Sequence, residues 1–560
     1  MAKHRAEELA LAQREISVAA FFEKNRHLLG FDNPLRALST TIKELVDNSL
    51  DAAEEMKVLP EIKVEIKQVK ENRFIVSVQD NGPGIVKEQI PKVFAKLLYG
   101  SKFFRMQQSR GQQGIGVSAS VLYGQLTTGK AAKIISKIGK NKPAHYYELR
   151  IDIHKNEPEI LKDEEADFVL DHGTKVEIEL EGKYQKGRQS VDEYLKQTAI
   201  ANPHLHLVYT DPEKKKIDFP RVVNELPKEP KEIKPHPYGI EIGILLRMLK
   251  NTKARNLQGF FEKEFSRVSS KIAKEICDKA KVDFKIQPGQ VNQDHVEALI
   301  TAIRNTKISS PPLNCLSPIG EEALLKGLKK EIKAEFYSVI TRKPSVYRGF
   351  PFQIEAGIVY GGELNANPDK LIRLIRFANK VPLQYQQSAG AITRSVINTA
   401  WRNYGLSQSK GALPIGPVVI LVHIASVWVP FTSEAKEAIA HYPEIIKEIK
   451  LALQEIGRRL GSFIRKTVRA KEQQERADLF EKYIPELSSA LANLSGESKN
   501  KIEQNLSKIL KKSMKYILGN NLQEEDKLLL TPGAREEKNE KQTNPFRKSV
   551  GGKEKQTKLK

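Results

Sequence analysis

Apolar residues recur at three- and four-residue spacing across 33–53, and that period predicts a helix. Leu38, Ile42, Leu45 and Ser49 share one face, expected to turn to the core. Asn33 is placed to cap the helix, with Pro34 in the first turn, where a missing N–H costs nothing. Glu44, Asn48 and Asp51 fall at i, i+4 and i+7 and share a second face. Residues 62–68 and 74–80 alternate apolar and polar, as half-buried antiparallel strands do. Similar segments follow at 132–138, 145–152 and 174–180, and a helix is expected to open near Val117. Residues 7–31 read as a helical lead-in.

A Lys/Pro/Glu-rich stretch at 212–237 interrupts the pattern and marks a boundary. Beyond it 240–249, 257–273 and 291–303 read as helices, with a turn at 287–290. Strands are expected at 335–341, 351–360, 372–377 and 418–427, with a helix at 391–401 between the last two. That order suggests a right-handed crossover. Thr432 or Ser433 is placed to cap a following helix, which would put Lys436 in its first turn, against the helix dipole. A long helix then carries an apolar stripe of Ile445, Ile449, Ala452, Ile456, Leu460 and Phe463. More helix is expected at 484–518, ending near Gly519. From about residue 532 the chain is Lys/Glu/Gly/Asn-rich, with too little apolar content for a core, so disorder is expected.

The chain has 560 residues, enough for three or four domains. Its formal net charge of +23 favours a polyanionic partner, nucleic acid before an acidic membrane, unless the charge serves solubility alone. Two cysteines, Cys277 and Cys315, make no disulfide framework and fit a reducing compartment. The first residues are charged and lack the apolar core of a signal sequence. The most apolar run, 418–429, is too short to span a bilayer. The chain reads as soluble and cytoplasmic, with no membrane partner.

Three segments carry candidate chemistry. Glu44 and Asn48 place a carboxylate one helical turn from a carboxamide, able to orient a water and to ligate a hard cation; a solvated helix face would look the same. The strand at 74–80 delivers Asp80 into Asp80-Asn-Gly-Pro-Gly84, where Gly82 and Gly84 allow positive φ and close approach by a flat ligand. Ser109-Arg-Gly-Gln-Gln-Gly-Ile-Gly-Val117 is a glycine-rich loop feeding a helix N-terminus, a phosphate cradle by its backbone N–H groups and dipole. Its spacing matches neither a Walker A nor a Rossmann fingerprint. No Asp-x-Asp occurs, so no metal cluster of the kind that serves DNA cleavage is recognisable. His204-x-His206 has no further ligands beside it in sequence.

Together the three boxes resemble the ATP site of the GHKL superfamily: gyrase B, a heat-shock chaperone, sensor histidine kinases and MutL. Asn33-Pro-x-Arg-Ala-Leu, Glu-Leu-Val-Asp-Asn-Ser-Leu-Asp-Ala, Tyr99-Gly-Ser-Lys-Phe103 and Arg110-Gly-Gln-Gln-Gly-Ile-Gly are similar to the B-subunit family of type IIB DNA topoisomerases, archaeal topoisomerase VI. The likeness covers most of 15–470. It implies a multidomain α+β chain. Residues 1–225 would form a Bergerat-type α/β sandwich, 226–306 a helix-two-turns-helix insert, and 307–470 an α/β transducer with a long C-terminal helix. A helical extension over 471–520 and a disordered basic tail over 521–560 would follow.

The resemblance also implies residue roles. Glu44 would be general base, Asn48 would hold Mg²⁺, and Asp80, helped by Thr174, would accept from the adenine amino group. Ser101 and Lys102 match nucleotide-contacting positions, although Lys102 reads equally as a solvated loop lysine. The backbone of Arg110, Gly111, Gln112, Gln113, Gly114, Ile115, Gly116 and Val117 would cradle the phosphates of ATP. Lys436 would reach the γ-phosphate. The implied partners are double-stranded DNA, a second copy on ATP binding, and a DNA-cleaving A subunit in an A2B2 heterotetramer at the nucleoid. A MutL-like repair clamp is the alternative; it would lack the helical block at 238–306.

Overall fold

The computed structural model describes residues 13, 15–102, 105–111, 114–366, 368–386, 388, 390–433 and 436–512. The chain divides into two compact units, Met1–Ser462 and Phe463–Lys560. Gln112, Gln113, Gly519 and the expected tail lie outside the described residues.

The first unit opens with helix α1 (Val18–Lys24) and the long α2 (Pro34–Glu55). Asn33 caps α2, its side-chain oxygen accepting from the Arg36 N–H at 2.9 Å. Strands β1 (Glu61–Lys70) and β2 (Arg73–Gln79) pair antiparallel, followed by α3 (Ile90–Ala95) and α4 (Gly116–Thr128). Strands β3 (Ala132–Lys137), β4 (Ala144–Asp152), β5 (Glu157–Ala166) and β6 (Gly173–Glu181), helix α5 (Val191–Ala201), and strands β7 (His206–Thr210) and β8 (Lys216–Phe219) complete an eight-stranded sheet. Its order is β5-β4-β3-β6-β2-β1-β7-β8, antiparallel except for the β1–β7 pair. Alternate residues of β1, β4 and β6 are buried. They form one core with the apolar faces of α2, α4 and α5, among them Leu38, Ile42, Val121 and Leu195. This is the expected half-buried sheet covered by helices.

Strand β5 was not foreshadowed by alternation. Its residues are mostly exposed, and it pairs only with β4. An edge strand with both faces wet needs no apolar period, and its run of charges guards the open edge.

Helices α6 (Ile242–Asn251), α7 (Leu257–Glu264), α8 (Ser270–Ala280) and α9 (Gln293–Arg304) close a second core around Phe260, Phe261 and Phe265. The single helix expected over 257–273 is two. Phe265 leaves α7 in an extended conformation, and the Ser266 N–H turns to the Pro235 carbonyl at 2.9 Å. Ser269 then caps α8.

Helix α10 (Glu321–Glu331) precedes a six-stranded sheet of β9 (Phe336–Thr341), β10 (Ser345–Tyr347), β11 (Phe350–Tyr360), β12 (Arg373–Ala378), β13 (Val381–Pro382) and, after a small hairpin of β14 (Ser407–Gln408) and β15 (Pro414–Ile415), β16 (Val418–Ser426). Helix α11 (Ala391–Ile397) lies between β12 and β16, which pair parallel as the strand–helix–strand order requires. Every residue of β16 is buried. A central strand covered on both faces explains its continuous apolar run.

The expected helix start near Thr432 is corrected. Thr432 N–H bonds the Ala438 carbonyl at 2.9 Å and Ala440 N–H bonds the Pro430 carbonyl at 2.8 Å, closing a loop rather than a helical turn. Lys436 has φ +53° within it. The helix, α12 (Pro443–Ser495), begins where Pro443 fits the first turn. Ile445, Ile449, Ala452, Ile456 and Leu460 are buried, as their stripe predicts. Lys436 therefore opposes no helix dipole.

Candidate nucleotide site

A cavity of about 620 Å³ opens between α2, the 80–85 turn, the 99–117 segment and the second sheet's loops. Glu44, Asn48, Asp80, Gly84, Thr174 and Lys436 all line it. Residues that are remote in sequence thus converge there.

Helix α2 buries Leu38, Ile42 and Leu45, which turns Glu44 and Asn48 toward the cavity. The Asn48 amide donates to the Glu44 backbone carbonyl at 2.7 Å. That bond uses its nitrogen and leaves the side-chain oxygen toward Gly111, whose missing Cβ would lie 3.8 Å from it. The Glu44 carboxylate meets the first residue of α4. A Cβ on Gly116 would fall 1.8 Å from Glu44 Oε2, so only glycine allows this approach. Glu44 lines the cavity, which places its carboxylate within reach of a water there.

Asp80 sits just past the end of β2, and its backbone N–H bonds the Thr174 carbonyl at 2.9 Å. Its Oδ1 accepts from the Gly82 N–H at 2.9 Å and the Thr174 N–H at 3.2 Å; Oδ2 accepts from the Ser49 hydroxyl at 2.9 Å. Burial raises the Asp80 pKa, and these three donors pull it partly back. The Thr174 hydroxyl shares a 3.0 Å contact with the Ser136 hydroxyl, which also accepts from the Ile85 N–H. Gly84 has φ +70°, and a Cβ there would lie 2.1 Å from the Lys137 carbonyl. Gly82 differs from expectation. It has no positive φ and does not line the cavity; its place is set by the bond to Asp80 and by Ala52, 3.0 Å from where a Cβ would be.

Ser101 and Lys102 line the cavity, as do Gly111, Gly114, Ile115, Gly116 and Val117. Lys102 is tied to α2, with Nζ 2.9 Å from both Asp51 and Glu55. Arg110 lies outside the cavity wall. Its guanidinium is buried against α2: Nη1 is 2.8 Å from Asp51, Nη2 is 2.7 Å from Glu54, and Nη2 donates to Asn202 at 2.6 Å. Only the backbone of Arg110 remains for a phosphate cradle, and Asp51, expected on the site's face, is engaged with these cations. Burial opposes the Arg110 charge, but Glu54 and Asp51 outweigh it and raise its pKa.

Lys436 is half-buried. Desolvation lowers its pKa while the nearby Glu44 charge opposes that. Periodicity did not reveal Lys43, Gln384, Tyr385 or Glu437, which also line the cavity. The last three come from the second sheet's side, and no local pattern marks them.

Asp47 is a buried carboxyl beside this wall, accepting from the Tyr194 hydroxyl at 2.9 Å. Burial pushes its pKa from 3.8 up to about 7, with Lys43 opposing and Glu44 adding. The folded state therefore holds this proton more tightly than the unfolded chain. That stabilisation is complete below pH 3.8 and is lost as pH rises to about 7. Asp47→Asn keeps an oxygen for Tyr194 and is expected to raise thermal stability at pH 8. The gap should shrink as the pH falls to 5; a pH-independent gap in melting temperature contradicts this.

Residues 34–183 match the family described as histidine kinase-, DNA gyrase B- and HSP90-like ATPase, and 311–476 match the topoisomerase VI B subunit transducer. Fold and site thus define an ATPase of the GHKL class joined to a transducer. The type 2 DNA topoisomerase 6 B subunit of Methanococcoides burtonii is 51% identical over 88% of this chain and 79% of its own length. Those of Archaeoglobus fulgidus (46%, over 89% and 82%) and Pyrococcus furiosus (37%, over 87% and 93%) are also similar. The chain belongs to the family of type 2 DNA topoisomerase 6 B subunits, the ATP-driven B subunits of type IIB topoisomerases.

Proposed function

We propose that the cavity binds ATP with Mg²⁺ and that ATP hydrolysis there drives strand passage by a DNA-cleaving A subunit. The observation that carries this is the Glu44 carboxylate set against the N-terminus of α4, with Asp80 and Lys436 on the walls of the same cavity.

Asp80, a deep acceptor, takes the adenine amino group. The glycine-rich loop and the N–H groups opening α4 face the phosphates. Glu44 orients the attacking water and takes its proton, and Lys436 meets the terminal phosphate. The Asn48 amide nitrogen is used by the Glu44 carbonyl, and its side-chain oxygen suits a hard cation. Asn48 would hold Mg²⁺ beside the nucleotide's phosphates, where the ion would supply charge neutralisation. Lys436 ties γ-phosphate presence to the second sheet. The likeness to the family, rather than any residue here, supports two copies closing on ATP as a gate around double-stranded DNA.

The helices at 242–304 fit this reading better than a MutL-like clamp, which would lack such a block. Among the described residues no helix is long and apolar enough to cross a membrane. The basic charge suits work at the nucleoid.

The test is relaxation of supercoiled DNA by the full chain with its co-purified A subunit. Relaxation is expected only with hydrolysable ATP. Equal relaxation without nucleotide, or no ATP turnover by the chain, refutes the proposal.

A further inference from the structure

Arg36 lies on α2 about two turns ahead of Glu44, in the Asn33-Pro-x-Arg-Ala-Leu segment, and does not line the cavity. Its Nη1 bonds Asp32 at 2.7 Å, its Nη2 pairs with the Glu437 carboxylate, and its guanidinium carbon lies 5.1 Å from the centre of the Tyr385 ring. Glu437 is buried and is the chain neighbour of Lys436. Tyr385 and Glu437 both belong to the cavity wall facing α2. One guanidinium therefore fastens the helix that carries Glu44 to the loop that carries Lys436. The loop's backbone is held by main-chain bonds, among them Thr432 N–H to the Ala438 carbonyl and Lys436 N–H to the Ser433 carbonyl at 3.1 Å, but these bonds act on the backbone and not on the lysine side chain.

We propose that Arg36 is a positioning residue for Lys436, acting through Glu437: the ion pair fixes the Lys436 loop against the helix that carries Glu44. This rests on the ATPase reading above. Arg36 touches no reacting atom. Breaking the pair leaves the Glu437 carboxylate buried without its cation and frees the loop, so Lys436 is misplaced while the rest of the nucleotide site stays whole.

The test uses the full chain and follows ATP hydrolysis together with ADP binding. Because ADP lacks the γ-phosphate, Arg36→Glu is expected to leave ADP affinity unchanged and to lower kcat by about tenfold to a hundredfold, as small misplacements of reacting groups do. In a Lys436→Ala background the same substitution should add nothing, because its effect runs through that lysine; a general loss of packing would add its own cost there. The charge swap Arg36→Glu with Glu437→Arg should recover much of the lost kcat.

Unchanged kcat in Arg36→Glu, a full further loss in the Lys436→Ala background, or a swap no better than either single variant overturns the proposal. Should Arg36→Glu fail to fold, Glu437→Gln breaks the pair without reversing a charge and runs the same cycle. Absence of ATP turnover in the wild-type chain would instead sink the ATPase reading. Normal wild-type turnover beside an indifferent Arg36→Glu removes this inference alone.

Discussion

Glu44→Ala is expected to lower ATP turnover by about 10²–10⁴-fold, the usual loss on removing a positioned general base, while nucleotide still binds. The separation of the two effects follows from the geometry. Asp80, with its donors Ser49, Gly82 and Thr174, and the glycine-rich loop are built without Glu44. The carboxylate stands against the backbone at Gly116, and alanine removes bulk there rather than adding it. Steady-state hydrolysis alongside equilibrium binding of a non-hydrolysable analogue checks this. Turnover at the wild-type rate would remove Glu44 from the mechanism. Loss of binding together with turnover would mean that the residue holds the site's shape rather than its chemistry.

Arg110→Ala is expected to destabilise the first unit by about 3–5 kcal/mol, the range for removing one member of a buried ion pair. Arg110 stands between Asp51 and Glu54, and its Nη2 also serves Asn202. Glu54 additionally takes a 2.9 Å contact from His204, whose pKa burial lowers. Lysine offers a point charge where a fork spans three partners, so Arg110→Lys should recover only part of the loss. Chemical denaturation followed by a probe of the first unit measures it. A loss under about 1 kcal/mol would show that the carboxylates find water or other cations once the guanidinium is gone. Nucleotide affinity should fall as well. Arg110 begins the glycine-rich loop, and the preceding Ser109 carbonyl accepts from the Asn379 amide at 3.0 Å, tying the loop to the turn after β12.

The limits of the linear pattern show in the same residues. Arg110 stands in a phosphate-loop motif whose backbone the resemblance assigned to the cradle, and nothing in the spacing says where its guanidinium goes. Its side chain turns away because two carboxylates of α2 lie behind the loop, a fact of packing. Gly82 and Gly84 looked alike in the chain, yet only Gly84 needs a positive φ. Lys436 was found through likeness, but its place in a closed loop rather than a helix came from bonds such as Thr432 to Ala438. Strand β5 was invisible because an edge strand in water needs no apolar period.

By itself the sequence determined which faces are buried. Periods of 3.6 and 2 laid out α2, β1, β2 and β6, an unbroken apolar run marked β16, and capping chemistry at Asn33 fixed where α2 begins, because these rest on contacts between near neighbours along the chain. It also held the three boxes whose chemistry names the class. Tertiary structure alone decided which cations meet which carboxylates, and which residues of the second sheet close the cavity. An ion pair such as Arg36 with Glu437 joins positions 401 residues apart. No local energy term distinguishes it from the many other oppositely charged pairs that a chain this rich in charge makes possible.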